Sequence, residues 1–163
     1  MRPRDVALFL KSIVRNDKPP AIFIWGAPGI GKSDVVKQIT EEEGIDFVDL
    51  RLSLMDPTDL RGIPVPENGK AKWLPPSALP DRGKGILFFD ELNLAPPIIQ
   101  AAAYQIVLNR RIGEYTLPDG WRIIAAGNKT EHKTNTYKMA APLRNRFVHI
   151  NFELNLDDWV SWA

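Results

Sequence analysis

Gly26-Ala27-Pro28-Gly29-Ile30-Gly31-Lys32-Ser33 fits the pattern G-x-x-x-x-G-K-[ST]. Glycines at these places let the backbone curl so that successive N–H groups face one phosphate. A helix opening at Lys32 adds its positive amino-terminal end. Lys32 can then reach the β- and γ-phosphates of a nucleotide, and the Ser33 hydroxyl can bind Mg²⁺. Asp34, next along the chain, is grouped with residues 26–33 as a nucleotide contact. A glycine turn arising by chance would need neither an apolar strand before it nor a helical pattern after it. Both are present here, in residues 21–25 and 32–43.

Ile86-Leu87-Phe88-Phe89-Asp90-Glu91 is the second such segment. An Asp at the end of a buried strand can complete a Mg²⁺ shell opposite Ser33. A Glu beside it can act as general base toward the attacking water. Two acids at a strand end also suit a plain turn, so this segment draws its weight from the glycine loop upstream. Asn128 closes a third apolar run, where its amide can align water or touch the γ-phosphate; an Asn after Gly127 also suits a turn, the lesser of the two readings. Arg144 and Arg146 flank Asn145 ahead of the last strand. An arginine there can cap a helix end or reach the nucleotide of a neighbouring subunit as an arginine finger.

These residues need a scaffold. Residues 4–16 predict an amphipathic helix with Val6, Leu10, Ile13 and Val14 on one face. Residues 32–43 predict a helix turning Val35, Val36 and Ile39 inward and closed by Gly44. Residues 97–109 predict another, with Ile98, Ala102 and Ile106 as its apolar face. Short helices are expected over 140–145 and 156–162. The uninterrupted apolar runs at 21–25, 86–89 and 122–126 predict central strands covered on both faces. The polar-interrupted runs at 47–52 and 147–152 fit the two edges. Residues 53–84 hold many prolines and no long periodic run; within them 67–70 looks like a hairpin tip. A small β excursion is expected over 111–118. Alternating strands and helices give an α/β, mostly parallel sheet. Its ligands gather at the carboxyl ends of the strands, where Gly26, Asp90 and Asn128 all fall.

Taken in order, these segments resemble the AAA+ ATPases. The glycine loop matches their Walker A, Asp90-Glu91 their Walker B, Ala126-Gly127-Asn128 their sensor 1, and Leu143-Arg144-Asn145-Arg146-Phe147 their finger segment. Asp90-Glu91-Leu92-Asn93-Leu94-Ala95-Pro96-Pro97 with Gln100-Ala101-Ala102, and Pro57-Thr58-Asp59-Leu60-Arg61-Gly62, look like the MoxR-like and dynein-related branch. The likeness covers residues 18–155. It implies a P-loop NTPase three-layer αβα sandwich with a five-stranded sheet in the order 5-1-4-3-2. It implies ATP or ADP and Mg²⁺ as ligands, a sensor at Asn128, and a finger at Arg146 with Arg144 second. It further implies a homo-oligomeric ring, commonly hexameric, that remodels a protein partner. Residues 53–84 fall where that branch carries its helix-2 insertion. The family follows this core with a small helical lid; this sequence stops at Ala163, where the lid would begin, so residues 1–163 are expected to form the nucleotide-binding core alone.

The totals narrow the alternatives. A chain of 163 residues suits one domain, and 44% hydrophobic residues suffice for a core. With 21 Lys plus Arg against 20 Asp plus Glu, the balance argues against a dedicated nucleic-acid scaffold. Without cysteine there are no disulfides or thiolate metal sites. No apolar run approaches membrane-spanning length, and a cytoplasmic protein is expected. His132 and His149 sit in different elements and have no metal-ligand spacing. Asn128-Lys129-Thr130-Glu131 echoes a guanine reader but ends in Glu, which argues against GTP. Two readings compete with a remodelling ATPase. One is a nucleotide-dependent binding module with little turnover. The other is a small-molecule kinase, for which no substrate-phosphate pocket or arginine-rich lid is evident.

Overall fold

The computed structural model describes residues 1–129, 138–153 and 160. His132, Lys133, Trp159, Trp162 and the helix expected over 156–162 lie outside the described residues, Val160 excepted.

Five parallel strands form the central sheet: β1 (Ala21–Trp25), β2 (Asp46–Arg51), β5 (Gly85–Asp90), β8 (Trp121–Gly127) and β9 (Phe147–Asn151). They lie side by side as β2-β5-β8-β1-β9. Numbered among themselves from first to fifth, this is the order 5-1-4-3-2 read from the other edge. The edge strands are the two with polar interruptions, as expected from their sequences.

Side-chain alternation explains why the inner strands read as continuous apolar runs. Ile22 and Ile24, Ile86 and Phe88, Ile124 and Ala126 face one side, with Val6, Leu10 and Ile13 of α1 (Pro3–Val14) and Val35, Val36 and Ile39 of α2 (Lys32–Glu43). Phe23, Leu87, Phe89, Ile123 and Ala125 face the other, with Ile99, Ala103 and Ile106 of α4 (Pro97–Asn109). A strand buried on both faces cannot alternate polar with apolar. Each fully buried Ile or Phe contributes roughly 1.5–3 kcal/mol, so both faces bind the sheet to its helices. This is the three-layer αβα sandwich.

Helix α2 starts and stops as its sequence dictates. Gly31 precedes it at φ +86 and Gly44 ends it at φ +64. Gly44 N–H donates to Glu41 O at 3.3 Å and Ile45 N–H to Thr40 O at 3.0 Å, closing the last turn. Helix α4 corrects one expectation. Its inward stripe is Ile99, Ala103 and Ile106, with Gln100 also buried; Ile98 is 62% exposed and Ala102 only half-buried. The stripe is rotated by one residue because a helix this apolar on most of its surface offers two faces of similar hydrophobicity, and packing on Phe89 and Leu92 decides between them.

The segment over 53–84 holds more structure than its prolines suggested. Helix α3 (Pro57–Arg61) begins after Asp56, whose amide donates to Asp59 Oδ2 at 2.7 Å. Strands β3 (Ile63–Glu67) and β4 (Lys70–Leu74) make an antiparallel hairpin. Its turn, Asn68-Gly69, has φ +51 and +73, as a two-residue hairpin turn requires. The segment is pinned at its ends: Leu60 and Leu79 are buried, Tyr115 Oη donates to Pro80 O at 2.6 Å, and Trp121 Nε1 donates to Arg82 O at 3.0 Å. Between those anchors the hairpin is mostly exposed, with Arg61 over the Trp73 ring at 5.0 Å. A second small ribbon pairs β6 (Arg111–Ile112) with β7 (Tyr115–Thr116), as the excursion over 111–118 anticipated. Helix α5 (Ala141–Arg144) completes the described elements.

Gly62 is the hinge between α3 and the hairpin. It sits at φ +88, and a Cβ there would lie 1.9 Å from Leu74 O. Gly62→Ala should therefore cost at least ~1 kcal/mol. The loss should be local: hydrogen exchange should show reduced protection across β3 and β4 and unchanged protection in β1, β5 and β8. Unchanged hairpin protection would show that the backbone can relieve the overlap.

Candidate nucleotide site

The carboxyl ends of β1, β5 and β8 lie next to one another, and three chemically distinct groups emerge there. β1 runs into the glycine loop, and Gly26 N–H extends its pairing to Gly127 O of β8 at 3.3 Å. Within the loop Gly29 and Gly31 take φ +73 and +86, values that side-chain-bearing residues rarely adopt. The amides of Ala27, Gly29, Ile30, Gly31 and Ser33 donate no backbone hydrogen bond among the described residues. That leaves a row of donors at the start of a helix, the arrangement that suits a phosphate. Asp34 is exposed in the first turn of α2; only its backbone amide has the right sign for an anion.

Lys32 is buried, with 8% of its surface exposed. Its ammonium donates to Ala27 O at 2.8 Å, Gly26 O at 3.2 Å and Asn128 Oδ1 at 3.0 Å. Asn128 is therefore a direct partner of Lys32. It is held in turn by Asn93, in the 3₁₀ turn Leu92–Leu94 that follows β5. Asn93 Nδ2 donates to Asn128 O at 2.7 Å, and Asn128 N–H donates to Asn93 Oδ1 at 3.2 Å. Past Asp90 the chain leaves the sheet, and the Asn93 amide stands in for the strand neighbour that Asn128 would otherwise lack.

Asp90 and Glu91 lie at the end of β5. Burial pushes the Asp90 carboxyl above its usual range; the Glu91 N–H draws it back, the Glu91 charge adds to the rise, and Arg51 and Lys32 oppose it. Asp49 is raised too, by burial first and then by the Asp90 charge. Glu91 sits in the left-handed region at φ +55, and its amide donates to Asp90 Oδ1 at 2.9 Å. Its carboxylate accepts a hydrogen bond from Ser53 Oγ, just past β2. A non-glycine residue in this conformation costs on the order of 1 kcal/mol and is frequent at functional sites.

The arginines divide. β9 pairs Phe147 with Ala21, at the amino end of β1. Arg146, one residue earlier, is thus more than a strand length from the loop at Gly26, about 20 Å at 3.3 Å per residue. It borders a cavity with Pro20, Arg110 and Arg122. Arg144 borders a different hollow with Trp25 and His149. His149 links Arg144 to the loop's base: Trp25 Nε1 donates to its Nδ1 at 2.8 Å, and its Nε2–H donates to Arg144 O at 2.7 Å. Neither arginine carries an ion pair among the described residues.

A family model for the AAA domain of the dynein-related subfamily matches residues 21–147, most of the chain, from the start of β1 to the first residue of β9. The chain belongs to this family. The chain is thus an AAA-type ATPase domain, a family that binds ATP or ADP. Midasin of Giardia intestinalis is 28% identical over 150 residues, which covers 86% of this chain and 3% of midasin. Among solved structures, a protein of Cytophaga hutchinsonii assigned as an ATPase aligns at a TM-score of 0.71 and 19% identity, over 97% of this chain and 48% of its own. NtrX of Brucella abortus with bound ADP aligns at 0.62 and 18% identity, over 91% of this chain and 34% of its own. The chain thus spans less than half of each of these relatives. At such identities the structures speak for the fold. Among the described residues no helix is long and apolar enough to cross a membrane.

Two residues that join this cluster were not singled out from the sequence, Ser53 and Asn93. Ser53 lies in a stretch without periodicity, and only the meeting of β2 with β5 brings it to Glu91. Asn93 stood within the family-like run, but its task depends on where the chain turns after Asp90. Asn93→Leu should leave the Asn128 N–H and C=O buried and unpaired, lowering stability by on the order of 2 kcal/mol or more. Urea denaturation measures this; a change below about 0.5 kcal/mol would show the clamp to be dispensable.

Proposed function

We propose that this domain hydrolyses ATP in a Mg²⁺-dependent reaction, within a homo-oligomeric ring that remodels a protein partner. The observation that carries the reading is the meeting of Lys32, Asn128 and the Asp90-Glu91 pair at three adjacent strand ends. Lys32 and the loop amides from Gly26 to Ser33 hold the β- and γ-phosphates. Ser33 and Asp90 are the oxygen donors that suit Mg²⁺, whose charge would offset that of the phosphates. Glu91 takes the proton of the attacking water, and Asn128 fixes that water's position against the γ-phosphate. Arg146 lies more than a strand length from its own loop, so it does not reach the nucleotide held there; that favours a trans-acting finger and, with it, an oligomer. Arg144 is the second candidate. The hairpin over β3 and β4, exposed and anchored only at its base, offers a surface for a protein substrate. The competing reading, a nucleotide-dependent binding module with little turnover, draws on the Ser53 contact, which engages the Glu91 carboxylate.

Calorimetric titration of Mg²⁺-ATP separates these roles. Lys32→Ala should abolish measurable binding. Glu91→Gln should bind ATP as the parent does while turning over about 10²–10⁴-fold more slowly. Normal hydrolysis by Glu91→Gln would remove Glu91 as the base. Binding without hydrolysis in the parent, alone and in assembled form, would favour the binding module.

Acid should act through Asp90. Its raised folded-state pKa means that it takes up a proton at higher pH than an ordinary Asp as pH falls. A protonated carboxyl is a poor cation ligand. Mg²⁺-ATP affinity should therefore weaken as pH drops through the raised Asp90 pKa, and Asp90→Asn should bind weakly with that pH dependence removed. A parent profile that stays flat into the ordinary carboxylate range would exclude Asp90 as the ligand.

A further inference from the structure

At the opposite end of the sheet from the glycine loop, two arginines stand between two cavities. Arg110 follows α4 and Arg122 lies at the start of β8. Both border a cavity of about 280 Å³, which Arg146 also borders and which no carboxylate lines among the described residues. Both also border a larger one of about 910 Å³, which Arg15, Lys18 and Lys84 line together with Asp17 and Asp119. Arg15 is paired with Glu43; Arg110 and Arg122 carry no ion pair among the described residues.

Neutral backbone carbonyls hold the two guanidinium groups in place. Arg110 Nη2 donates to Pro118 O and Trp121 O, each at 2.8 Å. Arg122 Nη1 donates to Asp119 O at 2.9 Å and its Nη2 to Asn16 O at 2.6 Å. A guanidinium has five N–H donors in a rigid fork, so donors remain on both. Arg122 Nε is buried and, among the described residues, has no hydrogen-bond partner. A buried donor without an acceptor costs about 1–3 kcal/mol. Burial lowers the Arg110 pKa; Asp119 opposes that shift and the Arg122 charge adds to it. Two fixed cations that, among the described residues, form no ion pair, with Asp119 near Arg110 and spare donors beside a cavity that no described acid lines, are built to receive a doubly charged oxyanion.

We propose that Arg110 and Arg122 form a second oxyanion site, distinct from the glycine loop, that takes a phosphate group, with Arg146 at its border. Two sources carry that chemistry: free inorganic phosphate, or the terminal phosphate of a nucleotide held by a second copy of this chain. The second source rests on the ring reading above.

Inorganic phosphate is titrated into the whole wild-type chain at constant ionic strength, with chloride as the control. The Nε–H resonances of Arg110 and Arg122 are followed by NMR, apart from those of the glycine loop. Saturable shifts of these resonances with phosphate alone are expected. Arg122→Gln should weaken the saturation on Arg110 about tenfold or more, and Arg122→Lys, which keeps the charge, by less. Shifts that match the chloride control, or that never saturate, would overturn the site without recourse to any variant. The source is then read from mixed chains. A Lys32→Ala chain, with its arginines intact, is combined with an Arg122→Gln chain, whose loop is intact. Hydrolysis above the sum of the separate chains assigns the phosphate to a second copy; no gain, with NMR saturation kept, assigns it to free phosphate. An Arg146→Ala chain in place of Arg122→Gln tests the ring reading by itself, so failure of the ring and failure of the site give different results.

Discussion

The Lys32 ammonium organises the site. A cation removed from water is stable only among fixed oxygens, and here those oxygens come from Gly26, Ala27 and Asn128. The first two require the loop to curl back over the helix that carries Lys32, which Gly29 and Gly31 permit through their positive φ. The third requires β8 to lie beside β1, so that its end arrives at the same height. One side chain thus couples the loop conformation, the strand order and the placement of Asn128.

That coupling holds only if the strand ends do not move, and their rigidity comes from burial on both faces. α1 and α2 cover one face and α4 the other, so the central strands have no solvated side along which to slide. The same constraint reaches Asp90 and Glu91: β5 is buried until its last residue, and the chain then leaves the sheet through a left-handed Glu91. The backbone strain at Glu91 and the raised Asp90 pKa are the local cost of presenting two acids at the end of an apolar strand. Ser53 and Asn93 brace what lies beyond it, one on the Glu91 carboxylate and one on the Asn128 backbone.

How much of this is legible in the sequence follows from which interactions are local. The split into central and edge strands came through because double burial leaves a direct mark, a run without polar interruption; the full order and the layers came from the resemblance to AAA+ ATPases. The bounds of α2 and α4 were legible because Gly44 and the prolines before residue 98 punctuate them. The inward face of α4 was not, because Ile98 and Ile99 are equal in hydrophobicity and only the partner surface chooses. The order within residues 53–84 was hidden for another reason. Its pieces are a helix of 5 residues and strands of 5, too short to show a period. Asn68-Gly69 gave away the turn because it alone demands two successive positive φ values. Ser53 and Asn93 act across strands, and nothing in their neighbours announces it.

The two arginines before β9 show what geometry adds to a motif. By charge and spacing alone Arg144 and Arg146 look alike, two residues apart, and only the family resemblance ranks Arg146 first. In the fold they face different hollows, one beside Trp25 and His149 and the other beside Arg110 and Arg122. Parallel pairing of β9 with β1 sets this, since the residue before a parallel strand lies at the amino end of its neighbour. A loop at the carboxyl end of β1 and an arginine at its amino end are separated by the strand itself. No side chain spans that distance, so Arg146 and Lys32 of one chain cannot share a phosphate. Arg144 stays tied to the loop's own strand through His149 and Trp25. A shift of the loop that displaced Trp25 would therefore be felt at Arg144 of the same chain, whereas Arg146 answers to whatever occupies the far end of the sheet.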